Sequence, residues 1–240
     1  MKTSIYHIAM TDLLWMFIPV GIAAFFYIRW TKDLRTLPYA LVRMVLQLIL
    51  IGYVLTYIFT SGSSGLVVLI LTVMLMAASI IALRPVARKD VRVYFYSFAS
   101  IATGGVFTLL TVILGVLELD PWYEPRFLIP LAGMVFANAM NAVSIAAERL
   151  ESEWERADSF EEARAHTYKA ALIPIVNSLF AVGLVSLPGM MTGQILSGVD
   201  PLIAVRYQMM VMLMILGSAG MSVAVYLRLS EGRYMKEEEI

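Results

Sequence analysis

The chain has 240 residues, of which 60% are hydrophobic and 15% charged, with a mean hydropathy of +0.79 and 18 basic residues balancing 18 acidic ones. Soluble domains carry about a quarter charged residues, so this composition excludes an ordinary soluble protein, and the charge balance excludes a nucleic-acid partner, which needs a basic excess. The lack of cysteine excludes disulfides, thiolate metal sites and cysteine nucleophiles.

The expected fold is all-α and polytopic. Apolar runs reach the roughly 20 residues that a helix needs to cross about 30 Å of hydrocarbon, and the ten-residue alternation of a membrane barrel is missing. The opening MKTSIYHIAMTDLL lacks a basic region followed by a small-residue cleavage site, so the first apolar run is expected to be retained. About seven spans are predicted, at 13–28, 39–59, 66–83, 93–117, 127–147, 170–188 and 202–227, in one transmembrane domain over 1–240. Cytoplasmic loops carry the excess of Lys and Arg. An outside N-terminus and a cytoplasmic C-terminus place Arg29, Lys32, Arg35, Arg84, Arg88, Lys89, Arg92, Arg149, Arg156, Arg164, Lys169, Arg228, Arg233 and Lys236 inside, leaving Lys2 and Arg126 outside.

Polar residues interrupt several spans. Arg43 and Gln47 share one face of the second span near its cytoplasmic end, where Arg43 either snorkels to the interface or helps position the spans. Asn138 and Asn141 lie near the middle of the fifth span, and Asn177 and Ser178 follow Pro174 in the sixth. At that depth such groups either tie helices together or line a pathway.

Between these two spans, 148–169 is the one substantial aqueous helix-forming stretch. Ser159 followed by Glu162 has the capping-box form, so a short helix is expected to begin at Phe160 and to present Phe160, Ala163 and His166 or Thr167 at helical spacing. It reads either as a helix that docks a soluble partner through Phe160 or as a solvated linker.

After the sixth span comes LPGMMTGQILSG, 187–198. Pro188-Gly189 ends a helix, and Met190, Met191, Thr192, Gly193 and Gln194 then form more chain than a reversal requires. The expectation is a short re-entrant or interfacial segment at the outer mouth, acting as a gate or a dimer contact, against the alternative of a passive turn. Asp200-Pro201 starts the last helix, with Asp200 placed to pair with Arg206.

The 16 methionines read as packing, because neither histidine nor cysteine accompanies them. His7 and His166, the two histidines, fall on opposite sides of the membrane in this topology. No lysine follows a glycine, so the phosphate-binding loop is missing; the chain is expected to bind no nucleotide and no cofactor of its own. No nucleophile with a neighbouring base stands in the spans, and an enzyme is not expected.

Three blocks carry a family resemblance: RMVLQLILIGYVL (43–55), GMVFANAMNAVSIAAERL (133–150) and IPIVNSLFAVGLVSLPGMMTGQILSGVDPLIAVRYQMMVM (173–212). They resemble the permease subunits of the FetB-type iron-export family of ABC transporters, a group that the plant aluminium-tolerance permeases resemble too. The resemblance implies a permease in the bacterial inner membrane that forms a homodimer and pairs with a separate ATPase subunit holding ATP and Mg. It implies export of iron or another metal ion, and it supplies no set of metal ligands. Two rival readings are a stand-alone ion-coupled carrier or channel, which lacks a mid-span acid to carry a proton, and a non-transporting membrane scaffold.

Overall fold

In the computed structural model the described residues are 9, 11–61, 63–86 and 89–234; His7, Arg88 and the acidic tail lie outside them. They are helical with no strand among them, and they fall into two compact units, 1–61 and 62–240.

In the first unit a 3-10 turn, Asp12–Met16, leads into α1 (Phe17–Thr31), and a tight corner joins it to α2 (Thr36–Ser61). Lys32 adopts a left-handed φ of 57° at the end of α1 and its N–H reaches the Ile28 carbonyl. Asp33 then starts α2, its Oδ1 accepting from the N–H groups of Arg35 and Thr36, each at 3.0 Å. This carboxylate takes the place of helical partners that the first turn lacks.

The second unit comprises α3 (Ser64–Ala82), α4 (Val91–Leu110, continued by a π-helical turn, Thr111–Val116), α5 (Pro125–Trp154), α6 (Phe160–Ala181), α7 (Gly189–Leu196) and α8 (Pro201–Tyr234). Asp90 caps α4, accepting from the Val93 N–H at 2.9 Å. Helices α4, α5 and α8 make the core. On α5 the buried face runs through Leu128, Ala132, Val135, Ala139, Ala142, Ala146 and Leu150 at intervals of a helical turn. Helices α4 and α8 meet so closely that a Cβ on Gly104 would lie 2.3 Å from Ser222 Oγ and 2.6 Å from the Ser218 carbonyl. Glycine is required there for backbone proximity, the usual role of small residues between membrane helices. Ser97 ties α4 to α3 by donating to the Ser79 carbonyl at 2.8 Å.

Both ends of this unit can be identified. The Tyr234 ring, at the end of α8, packs on Trp154 and Phe160 with centroids 5.7 and 6.1 Å apart, and Arg233 lies 3.9 Å from Asp90. The end of α8 therefore lies with the end of α5, the start of α6 and the start of α4. Near the opposite end, Arg126 and Phe127 of α5 share a small cavity with Tyr207 of α8 and Met190 of α7. Since α5 and α8 run in the same direction, the chain between Phe160 and Pro201 must travel the length of the unit.

It does so without one continuous helix: the stretch expected as a sixth span at 170–188 is helical to Ala181 and is followed by a break and the short α7. Six helical segments among the described residues are long and apolar enough to cross a membrane, and α6 is not one of them. Its first half is charged, and its apolar part ends at Ala181, about 18 Å of helix against the 30 Å needed. The helix expected to begin at Phe160 within 148–169 is present and runs on past Lys169 into the apolar part. Helix α5 runs on to Trp154, and after a turn at 155–159 the helix that begins at Phe160 is itself α6, continuous into the apolar part.

Candidate functional site

The break after α6 is built from local chemistry. Gly183 adopts a φ of +82°, a conformation that costs a side-chain-bearing residue and suits glycine. The Ala181 carbonyl accepts from Val185 at 2.8 Å and from Leu184 and Ser186 at 3.2 Å, and the Ser186 carbonyl accepts from Gly183 at 3.0 Å. These bonds fold 181–186 into a knot that ends the helix. Pro188 then caps the two turns of α7, with its carbonyl accepting from the Thr192 N–H at 3.0 Å.

Beside the break lies a cavity of about 300 Å³ lined by Asn138, Pro174, Ser178, Val182, Ser186, Pro188 and Met212, among others. Asn138 is the fourteenth of the 30 residues in α5. Its amide donates to the Met134 carbonyl at 2.8 Å, and Ser178 donates to the Pro174 carbonyl at 2.9 Å. The Ser178 bond reaches the carbonyl four residues back, the back-bond that serine commonly makes inside a helix. The cavity thus brings together Asn138, Ser178 and Pro188 of the predicted residues and adds Ser186 and Met212. Asn141 and Asn177 are exposed instead.

Every polar group lining it is neutral. Among the described residues no group of three or more His, Cys, Asp or Glu side chains is placed to hold a metal ion. Oxygen atoms from an amide and hydroxyls would hold a cation loosely, which suits passage more than storage.

Helix α7 follows. Met190 packs against the core, and Met191 lines a neighbouring groove of about 400 Å³ with Leu179, Val182, Met209, Met212 and Leu213. Gln208 also lines this groove; it is buried, and its Oε1 has no hydrogen-bond partner among the described residues. Gln194 Oε1 is likewise buried and without a partner, while Thr192 is partly buried and Gly193 exposed. Asp200 caps α8 by accepting from Leu202 at 2.8 Å, and no ion pair joins it to the exposed Arg206.

At the other end of α6, Ser159 Oγ accepts from the Glu162 N–H at 3.3 Å, as the capping pattern requires. The reciprocal bond is displaced by one residue, for Glu162 Oε2 accepts from the Asp158 N–H at 3.2 Å. Phe160 is buried at 4% exposure between Trp154 and Tyr234, and Ala163 is fully buried. This corrects the expectation of a free apolar anchor, because the hydrophobe that would dock a partner is already packed inside its own chain. Exposed in its place are Glu155, Arg156, Asp158, Glu161 and Glu162. His166 Nδ1 lies 3.2 Å from Glu153 Oε2, and Glu153 Oε1 pairs with Arg149 at 2.8 Å. Glu153 is buried. It occupies the next position on the core face of α5 after Ala146 and Leu150, a spacing that would have revealed it in the sequence. In the first unit Arg43 is partly buried and Gln47 exposed, one turn apart on α2.

The uncharacterised protein family UPF0014 matches the chain at residues 9–159 and 154–235. A UPF0014 membrane protein of Synechocystis is 33% identical over 233 residues, 90% of each chain. The probable iron export permease protein FetB of Escherichia coli is 37% identical over 203 residues, 77% of this chain and 76% of its own. The protein ALUMINUM SENSITIVE 3 of Arabidopsis thaliana is 34% identical over 199 residues, 77% of this chain and 71% of its own. No solved structure matches. These relatives bear out the resemblance carried by the three sequence blocks.

Proposed function

The chain belongs to the UPF0014 family of multi-pass membrane proteins, and from that premise we propose that it is the permease subunit of an ABC transporter. In this reading it works as a homodimer in the inner membrane, binds a separate ATPase that holds ATP and Mg, and exports iron or another metal ion. The observation that carries it is the 37% identity, over 203 residues, to a probable iron export permease. The missing phosphate-binding loop supports a separate source of energy.

The broken crossing supports transport more than scaffolding. Non-helical backbone at membrane depth survives where protein covers it or where it lines a cavity, and discontinuous helices of this kind line the substrate paths of transporters. Here the break lines the Asn138, Ser178 and Ser186 cavity. The cargo crosses this cavity, held by neutral oxygen atoms. The ATPase engages the exposed 155–162 turn, and its stroke reaches the break along α6.

The test is ATPase stimulation in lipid nanodiscs holding this chain and a candidate ABC ATPase from the same organism, with iron(II), other divalent metals and unrelated solutes titrated in. Stimulation that requires this chain and saturates with one metal is the expected result. Failure to assemble with any ATPase would favour a stand-alone carrier. An assembled complex stimulated only by an organic solute would keep the permease and discard the metal.

A further inference from the structure

The fold brings together side chains that the sequence keeps apart. Met191 stands on α7, and Met209 and Met212 stand on α8, three residues apart and so on one side of that helix. All three line the groove of about 400 Å³ beside the break. Gln208 lines it too; this residue is 5% exposed, and its Oε1 has no hydrogen-bond partner among the described residues. The rest of the described lining is aliphatic or glycine, with no charged side chain.

Ordinary packing accounts for a methionine enclosed by hydrophobes. It does not account for three that converge from two helices on one hollow, with Met209 still 55% exposed. Nor does it account for a buried amide oxygen left unpaired, which costs stability. A cation answers both. Thioethers are soft, uncharged donors that select copper(I), whereas iron(II) is better served by imidazole and oxygen. No carboxylate lines the groove to offset a second positive charge, and charge in apolar surroundings is expensive. A monovalent soft ion is therefore the species this donor set holds at least cost, and the Gln208 carbonyl gains the partner it lacks.

We propose that Met191, Met209, Met212 and Gln208 form a binding site for copper(I), with the three thioethers as its ligands and the glutamine carbonyl beside them. The site stands on this chain's own side chains; its use as a station for cargo rests on the permease reading above. Met212 and Val182 line both this groove and the Asn138 and Ser178 cavity. The two hollows therefore adjoin, and an ion leaving the thioethers meets neutral oxygen atoms next.

The test uses the full-length chain alone in nanodiscs under reducing, oxygen-free conditions, with copper(I) delivered from a chromophoric chelator that reports its loss. One copper(I) per chain is expected. Met191→Leu, Met209→Leu and Met212→Leu together, swaps that nearly conserve volume, should weaken binding at least tenfold. Met209→Leu alone, at an exposed position, should weaken it at least threefold. Met44→Leu with Met76→Leu, at exposed positions on α2 and α3, should leave it unchanged. X-ray absorption at the copper edge should show sulfur neighbours that the triple variant lacks, and a hundredfold excess of iron(II) should not displace the ion. Unchanged affinity in the triple variant would overturn the site, and so would an equal loss in the Met44 and Met76 pair. Displacement by iron(II) would overturn the soft-ion assignment. Because no ATPase is present, each of these results leaves the permease reading standing. A chain that binds copper(I) here and assembles with no ATPase would keep the site and remove the permease.

Discussion

Asp33 shows how a short stretch of sequence sets a charge. Its carboxyl is pulled from 3.8 to about 2, chiefly by the Thr36 hydroxyl, then by the N–H groups of Thr36 and Arg35, with the Tyr27 hydroxyl adding a smaller effect. Because the folded value lies below the unfolded one, the carboxylate's contribution to stability is present above about pH 4 and is lost as pH falls through about 2. A carbon-13 titration of labelled aspartate should show one resonance, absent in Asp33→Asn, moving near pH 2. Gly104 fixes a distance instead of a charge. Gly104→Ala would drive a methyl into the Ser218 and Ser222 backbone, and overpacking of this kind costs about 1 to 3 kcal/mol. A drop in the thermal unfolding midpoint in detergent is the expected readout, with Gly115→Ala, which meets nothing within 4 Å, left unchanged in comparison.

The elements differ in how far the sequence announces them. Apolar length was enough to find α2, α3, α4, α5 and α8, because a span is set by hydrocarbon thickness and little else. The start of α6 at Phe160 was legible for a different reason, since a serine cap is a local bond that needs no tertiary partner. Ser159→Ala should therefore cost about 0.5 to 2 kcal/mol in thermal stability. Two features were not legible. The 170–188 run is predominantly apolar, and hydropathy does not register that Gly183 has turned left-handed beyond the end of the helix. Phe160 stands at a helix start among charged residues, and its burial depends on Tyr234, 74 positions away in the chain and out of reach of any local pattern. That burial reverses the meaning of a mutation. Phe160→Ala should destabilise the chain itself by about 3 to 5 kcal/mol, seen as a lower unfolding midpoint before any partner is added. Substitutions at exposed Arg156 and Asp158 are the ones that should weaken ATPase association and leave that midpoint within about 0.5 kcal/mol.

For the molecule as a whole, six helices among the described residues are long and apolar enough to cross a membrane, and the proposed topology adds the α6 to α7 stretch as a seventh, broken crossing. The proposed orientation is open to a direct check because every introduced cysteine would stand alone. In right-side-out vesicles a membrane-impermeant maleimide should modify Ser63→Cys, in the turn before α3, and spare Asp158→Cys until the membrane is opened. The reverse pattern would invert the topology. The aromatic joint of Trp154, Phe160 and Tyr234 has a mechanical consequence in this frame. It fixes one end of α6, while the other end, about 30 Å away at Ala181, terminates in the knot and touches the cavity. A helix held so is a lever with its fulcrum beside the proposed ATPase contact. Tilting it by about 10° would swing Ala181 by about 5 Å. In the proposed transporter a push on the five exposed residues of the 155–162 turn would thus be carried along α6 toward the cavity, with Pro174 the point at which the helix can bend.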